Sequence, residues 1–96
     1  MSLYVVSYDI SKDKLRNKIA KLLEGYGIRM QYSVFECKLS EDKFLELYQK
    51  IAGLSGEFNN DSVRFYKLCK NCESEIRNIG VVGKEREVIE EETIVV

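Results

Sequence analysis

The chain of 96 residues contains no histidine and no proline. Without histidine there is no imidazole to shuttle protons near neutral pH, and the commonest zinc ligand is missing. Hydrolytic chemistry, if present, then rests on carboxylates and a hard cation. Without proline, no strand or helix is interrupted by a missing N–H. No apolar run approaches the ~20 residues a membrane-spanning helix needs, so no membrane partner is expected. Internal repeats and low-complexity segments are absent as well. Cysteine is scarce: Cys37, Cys69 and Cys72. An odd count with no visible secretory leader argues against a disulfide framework, and a cytoplasmic location is expected.

What is present suits one small soluble domain, with 45% hydrophobic and 32% charged residues. A chain this short has little stability to spare, so self-association would help it. Net charge is −1, which alone argues against a strongly basic nucleic-acid binder. The charge is unevenly placed, however. Residues 1–40 carry seven Lys/Arg against four acids, whereas residues 84–96 carry two against five. A basic face attracts phosphates whatever the net charge, although lysine-rich helix faces are more often merely solvated.

The segment 3–10, LYVVSYDI, reads as a strand with Tyr4, Val6, Tyr8 and Ile10 on one face and Leu3, Val5, Ser7 and Asp9 on the other. Ser11 is placed to cap the following helix, with Asp13 at its positive end. Leu15, Ile19, Leu22, Leu23 and Tyr26 recur at helical spacing, and Gly27 offers a stop. Lys14, Lys18 and Lys21 line the opposite side. Short strands are expected over 28–31 and 33–39. Ser40 opens a second helix with a stripe of Phe44, Leu47, Tyr48, Ile51 and Leu54. A loop over 55–60 leads to a strand over 62–68. A helical turn or two follows over 72–79, then a short apolar element over 80–83 and a last strand over 93–96.

The order β-α-β-β-α-β predicts an α+β, ferredoxin-like antiparallel sheet with both helices on one face. Residues 1–83 form that domain, and 84–96 an acidic C-terminal extension able to add an edge strand. The face opposite the helices carries Leu3 and Val5, and a second copy of the chain is the simplest cover.

Three stretches carry chemistry: YDIS closing the first strand, YGIRMQYSVFEC from the first helix into the third strand, and DSVRFYKL in the fourth strand. Together, over about residues 3–83, they closely resemble the CRISPR-associated protein family Cas2, a small adaptation protein of prokaryotic antiviral defence. The resemblance implies a ferredoxin-like homodimer and a Mg²⁺-dependent endonuclease (Mn²⁺ as a substitute) acting on RNA or duplex DNA. It also implies a partnership with the Cas1 integrase in spacer acquisition. Residue by residue, it makes Asp9 the catalytic, metal-holding acid, one from each protomer. Arg16, Lys18 and Arg29 become the nucleic-acid-binding residues, with Tyr8, Ser33 and Phe35 in support.

The chemistry is coherent with that reading. Mg²⁺ prefers oxygen donors, keeps several waters, and needs only one or two carboxylates. One Asp9 per chain is sparse, but two across a dimer axis make a site. Asp9 reads equally well as a helix cap or turn former, and the resemblance favours the site. The arginines would position a phosphate backbone rather than read sequence, or else form surface ion pairs. Tyr8 is expected in packing, and Phe35 in the core or, with Leu3 and Val5, in the dimer interface rather than as a base-stacking platform. Cys69-Lys70-Asn71-Cys72 lacks the four ligands a zinc site requires and reads as two small residues at a turn. Two further functions compete with cleavage: a non-catalytic dimeric scaffold gripping duplex DNA and the integrase, and a metabolite-binding regulatory domain, which no ligand motif supports.

Overall fold

A computed structural model describes residues 1–81. Four strands, β1 (Ser2–Asp9), β2 (Ile28–Gln31), β3 (Val34–Leu39) and β4 (Ser62–Leu68), form one antiparallel sheet in the order β2-β3-β1-β4. Helix α1 (Asp13–Glu24) links β1 to β2, and α2 (Glu41–Ala52) links β3 to β4. A 3₁₀ turn spans Ser55–Glu57, and a short helix α3 (Lys70–Ser74) follows β4. This is the expected ferredoxin-like order. The acidic extension over 84–96, the strand over 93–96 and the end of the element over 80–83 lie outside the described residues.

The core follows from period-2 alternation meeting helical stripes. Tyr4, Val6 and Tyr8 of β1 and Phe35, Cys37 and Leu39 of β3 are buried on the helix side. They meet Leu15, Ile19 and Leu23 of α1 and Leu47 and Ile51 of α2. Register fixes the match, because Val6 sits opposite Phe35 and Tyr4 opposite Cys37. An aromatic group closes the β4 side: Phe44 stacks on Tyr4 at 4.2 Å between centroids and meets Phe65 edge-on at 5.6 Å. Burial pushes the Cys37 thiol up to about 11, so it is an inert small hydrophobe rather than a nucleophile.

Phe35 is fully buried in this core. It is therefore not part of an apolar surface offered to a second chain, and only Val5 and its neighbours remain for that. Leu3, also expected to await a partner, is buried within the same chain. Helix α3 packs against β1 and β4, and its Glu73 pairs with Lys38 of β3. One corner of the open sheet face is thus covered without a second copy. Ile28 and Tyr66 remain 46% and 45% exposed on the rest of it.

Two helix ends differ from the sequence expectation. The residue capping α1 is Lys12, with no side-chain cap bond. Ser11 is drawn elsewhere, its N–H and hydroxyl both donating to Asp61 Oδ1 at 2.9 and 3.1 Å. Ser40, by contrast, caps α2 as expected, accepting from the Lys43 N–H at 3.2 Å. Helix α1 stops at Gly25 rather than Gly27. Gly27 serves a different purpose: a Cβ there would lie 2.3 Å from the Glu36 carbonyl oxygen and 2.5 Å from Cys37 Sγ. The chain leaving α1 crosses β3 so closely that only glycine fits.

Candidate functional site

The strand end that carries the acid is built from three local decisions. Strand β1 runs straight to Asp9, which the pleat turns to the face opposite the helices. Its ladder partner on β4 is Ser62. The carboxylate is exposed, and no donor among the described residues reaches it. The acid next to that partner behaves differently. Asp61 accepts from the Ser11 N–H and hydroxyl and from the Asn59 N–H at 2.9 Å. These bonds hold its carboxyl below the usual carboxylate range. Asp61 thus fastens β4 to the turn after β1, while Asp9 is left open.

Behind Asp9, on the helix side, Tyr8 holds Arg29 and the turn at Tyr32 that Arg16 faces. Its N–H donates to the Ser33 carbonyl at 3.1 Å and its hydroxyl to the Tyr32 carbonyl at 3.2 Å. Arg29 donates to the same hydroxyl at 3.3 Å and lies over the Phe35 ring at 5.3 Å. Arg16, on the first turns of α1, donates to the Ile10 carbonyl at 3.0 Å and to that of Ser11 at 3.3 Å. It also pairs with Asp13 and faces the Tyr32 ring at 5.9 Å. The bond to Asp13 raises the Arg16 pKa further above its ordinary value. In both arginines the Nε is buried and has no hydrogen-bond partner. Lys18 stands apart, exposed and 3.6 Å from Glu57, a surface pair of small worth.

The expected residues therefore fall into three sets. Tyr8, Ser33, Phe35, Arg16 and Arg29 gather at one end of the sheet. Asp9 adjoins them on the opposite face. Lys18 lies along α1 with a carboxylate neighbour of its own. Sequence reasoning missed Tyr32 and Asp61. Tyr32 lies inside the QYSVFE stretch, but its exposure depends on an irregularity between Arg29 and Gln31 where β2 meets β3. Asp61 could not be told from an ordinary loop acid, because its partner Ser11 is fifty residues away.

Among the described residues, no three His, Cys, Asp or Glu side chains cluster as metal ligands. Asp61, which precedes the ladder partner of Asp9, is occupied by its three hydrogen bonds. One open hard-oxygen donor fits half of a Mg²⁺ site of the kind that keeps its waters. Cys69 caps α3, its Sγ accepting from the Cys72 N–H at 3.3 Å. That bond is the main reason its pKa lies below the usual thiol value. The two thiols sit at a strand-to-helix turn, as the sequence suggested, with no third ligand among the described residues.

A ferredoxin-like sheet backed by two helices, with an arginine–tyrosine network behind one strand end and an open carboxylate in front, defines a small α+β protein with a polar working edge. The family model described as "CRISPR associated protein Cas2" matches residues 1–76. A protein of Chloroflexus aurantiacus named CRISPR-associated endoribonuclease Cas2 1 is 49% identical over 77 residues, covering 80% of this chain and 83% of its own. A hypothetical protein from Thermus thermophilus superposes with a TM-score of 0.72 at 36% identity, covering 86% of this chain and 95% of its own. A chain of the partial Cas6-RT-Cas1–Cas2 complex superposes with a TM-score of 0.70 at 35% identity, covering 81% and 90%. The chain belongs to the CRISPR-associated Cas2 family. Among the described residues no helix is long and apolar enough to cross a membrane.

Proposed function

We propose that this protein is a CRISPR-associated, metal-dependent endonuclease that hydrolyses phosphodiester bonds of RNA or DNA. In this reading it acts in the cytoplasm as a homodimer, partners the Cas1 integrase, and takes part in spacer acquisition. The observation that carries the reading is the open Asp9 carboxylate, exposed at a strand end beside two arginines while its neighbour Asp61 is fully engaged. The relatives' names, endoribonuclease among them, and a matching chain in a Cas1–Cas2 complex support it.

Asp9 from each protomer would hold the Mg²⁺. When bound, the cation supplies charge relief to a phosphoryl oxygen and an activated water. The protein's own groups do the rest. Arg16 and Arg29 set a positive potential at the sheet end and attract the phosphate backbone. Lys18 adds charge along α1, extending the track for the strand. Tyr8 holds Arg29 through its hydroxyl, and the Ile10 and Ser11 carbonyls hold Arg16. Val5, Val34, Ile28 and Tyr66 give the apolar contact for a second copy.

The test is Asp9→Asn in purified protein. Cleavage of single-stranded RNA with Mg²⁺ should fall at least a hundredfold, the usual scale for losing a group that organises the reacting water. Binding of RNA in EDTA should stay within a few-fold. If the residual cutting of the variant equals that of wild type, the activity belongs to a contaminant and the endonuclease reading fails. The second reading then stands: a non-catalytic scaffold for duplex DNA and the integrase, favoured by the matching chain in a Cas1–Cas2 complex.

A further inference from the structure

The reading above leaves one exposed aromatic at the working edge without a role. Tyr32, in the turn between β2 and β3, is 69% exposed. A single exposed aromatic needs no explanation by itself, but the surroundings of this one suggest a use. We propose that Tyr32 is a stacking platform for one nucleobase of a single-stranded nucleic acid bound across the Asp9 end of β1. The inference rests on the nucleic-acid reading of this site, and names a contact within it.

Four observations converge on this ring. Its backbone is pinned on both sides, since Tyr8 donates to the Tyr32 carbonyl through its hydroxyl and to the Ser33 carbonyl through its N–H. That places the turn alongside the end of β1, one residue from Asp9. The ring faces the Arg16 guanidinium at 5.9 Å, within the reach of a cation–π contact. Arg16 is itself fixed by the Ile10 and Ser11 carbonyls and by Asp13. A ring backed by an immobilised guanidinium and otherwise open to solvent is pre-organised, so a base that stacks on it pays less ordering entropy. The guanidinium also lies where the phosphate flanking such a base is attracted. The other exposed tyrosines are placed differently. Tyr48 packs on Phe44 and Phe65, and Tyr66 sits opposite Val5 on the face proposed for dimerisation.

Stacking reads no base identity, because every base has a π-face, so the platform would hold any base in register with the acid. An A- or B-form duplex already has its bases stacked and would not use it.

The experiment is fluorescence anisotropy of the full chain in EDTA with a short single-stranded RNA. The same RNA carrying one abasic nucleotide, moved along the strand, is measured alongside it. Tyr32→Ala and Tyr32→Leu should weaken binding of the intact strand roughly tenfold, within the ordinary range for one stacked base. Tyr32→Phe should bind as wild type does. With the abasic nucleotide at one position, the difference between Tyr32→Ala and wild type should vanish. The proposal is overturned if Tyr32→Ala and wild type bind the intact strand alike. It is also overturned if the loss is the same for every abasic strand, or is equally large on blunt duplex DNA. These outcomes are independent of cutting: a wild type that shows the abasic coupling but no cleavage with Mg²⁺ keeps the platform and loses the endonuclease reading.

Discussion

Strand β1 presents two different surfaces. On the helix side, Tyr4, Val6 and Tyr8 are buried against Phe35, Cys37 and the stripes of α1 and α2. On the other side, Leu3 is buried, Val5 and Ser7 are half-covered, and Asp9 is exposed. Eight residues thus carry a stability face and a graded face that turns from apolar to ionic along its length. The lesson is about separation. Because neighbouring side chains point to opposite faces, an acid can sit one residue from a buried tyrosine without entering the core. The acid is placed with the accuracy of the sheet and carries almost none of the folding energy.

Substitutions can break or sharpen that contrast, read by urea unfolding at fixed protein concentration, since a self-associating chain unfolds with concentration-dependent midpoints. Phe35→Ala should cost the most, about 3–5 kcal/mol, because it empties the centre of the helix-side core. A loss below about 1 kcal/mol would mean that Phe35 is not where the fold is held. Gly27→Ala should come next, at about 1–3 kcal/mol. Its Cβ meets backbone and a buried thiol rather than a flexible side chain. Asp9→Asn should come last, within about 0.5 kcal/mol of wild type at neutral pH, because the carboxylate is exposed and makes no hydrogen bond or ion pair among the described residues. A large loss there would show that the exposed face contributes to folding, and would blur the separation.

Acid titration sharpens the same comparison between the two aspartates. Asp61 has a folded pKa below its ordinary value of 3.8, owing first to the Asn59 and Ser11 N–H bonds. A depressed carboxylate stabilises the fold above its unfolded pKa, and that contribution is lost as pH falls through the folded one. Wild type should therefore lose stability as pH drops below about 4. Asp61→Asn should start lower at neutral pH and show a flatter acid limb in thermal melts taken from pH 6 to 2. An acid limb as steep as that of wild type would remove Asp61 from the account.

Much of this fold was legible in the sequence, and the reason is local. Strand alternation in 3–10 and 33–39, the stripes at 15–23 and 44–54, and Ser40 before an acidic first turn are all read within one element. The misread details required a partner far along the chain. Ser11 looks like a cap until Asp61 takes both its donors, and the helix then begins from Lys12. Gly27 looks like a helix stop until β3 passes beneath it. Leu3 looks like an interface residue until the folded chain buries it, with α3 packed on β1. At the candidate site, the acid after an apolar run read equally well as a cap, and the family resemblance singled out Asp9. Tyr32 was not singled out, because an exposed tyrosine and a buried one are spelled alike.

Pattern and composition by themselves determined the element order, the helix-side core and the placing of Asp9 on the opposite face, since each follows from periodicity along the backbone. Tertiary structure alone decided which polar groups are engaged and which are open. Asp61 is fastened, Asp9 is not, and Arg16 and Arg29 are drawn together around Tyr8 and Tyr32. Hydrogen bonds and ring contacts act over a few ångströms, and residues distant in sequence come that close only when the sheet has brought its strands side by side.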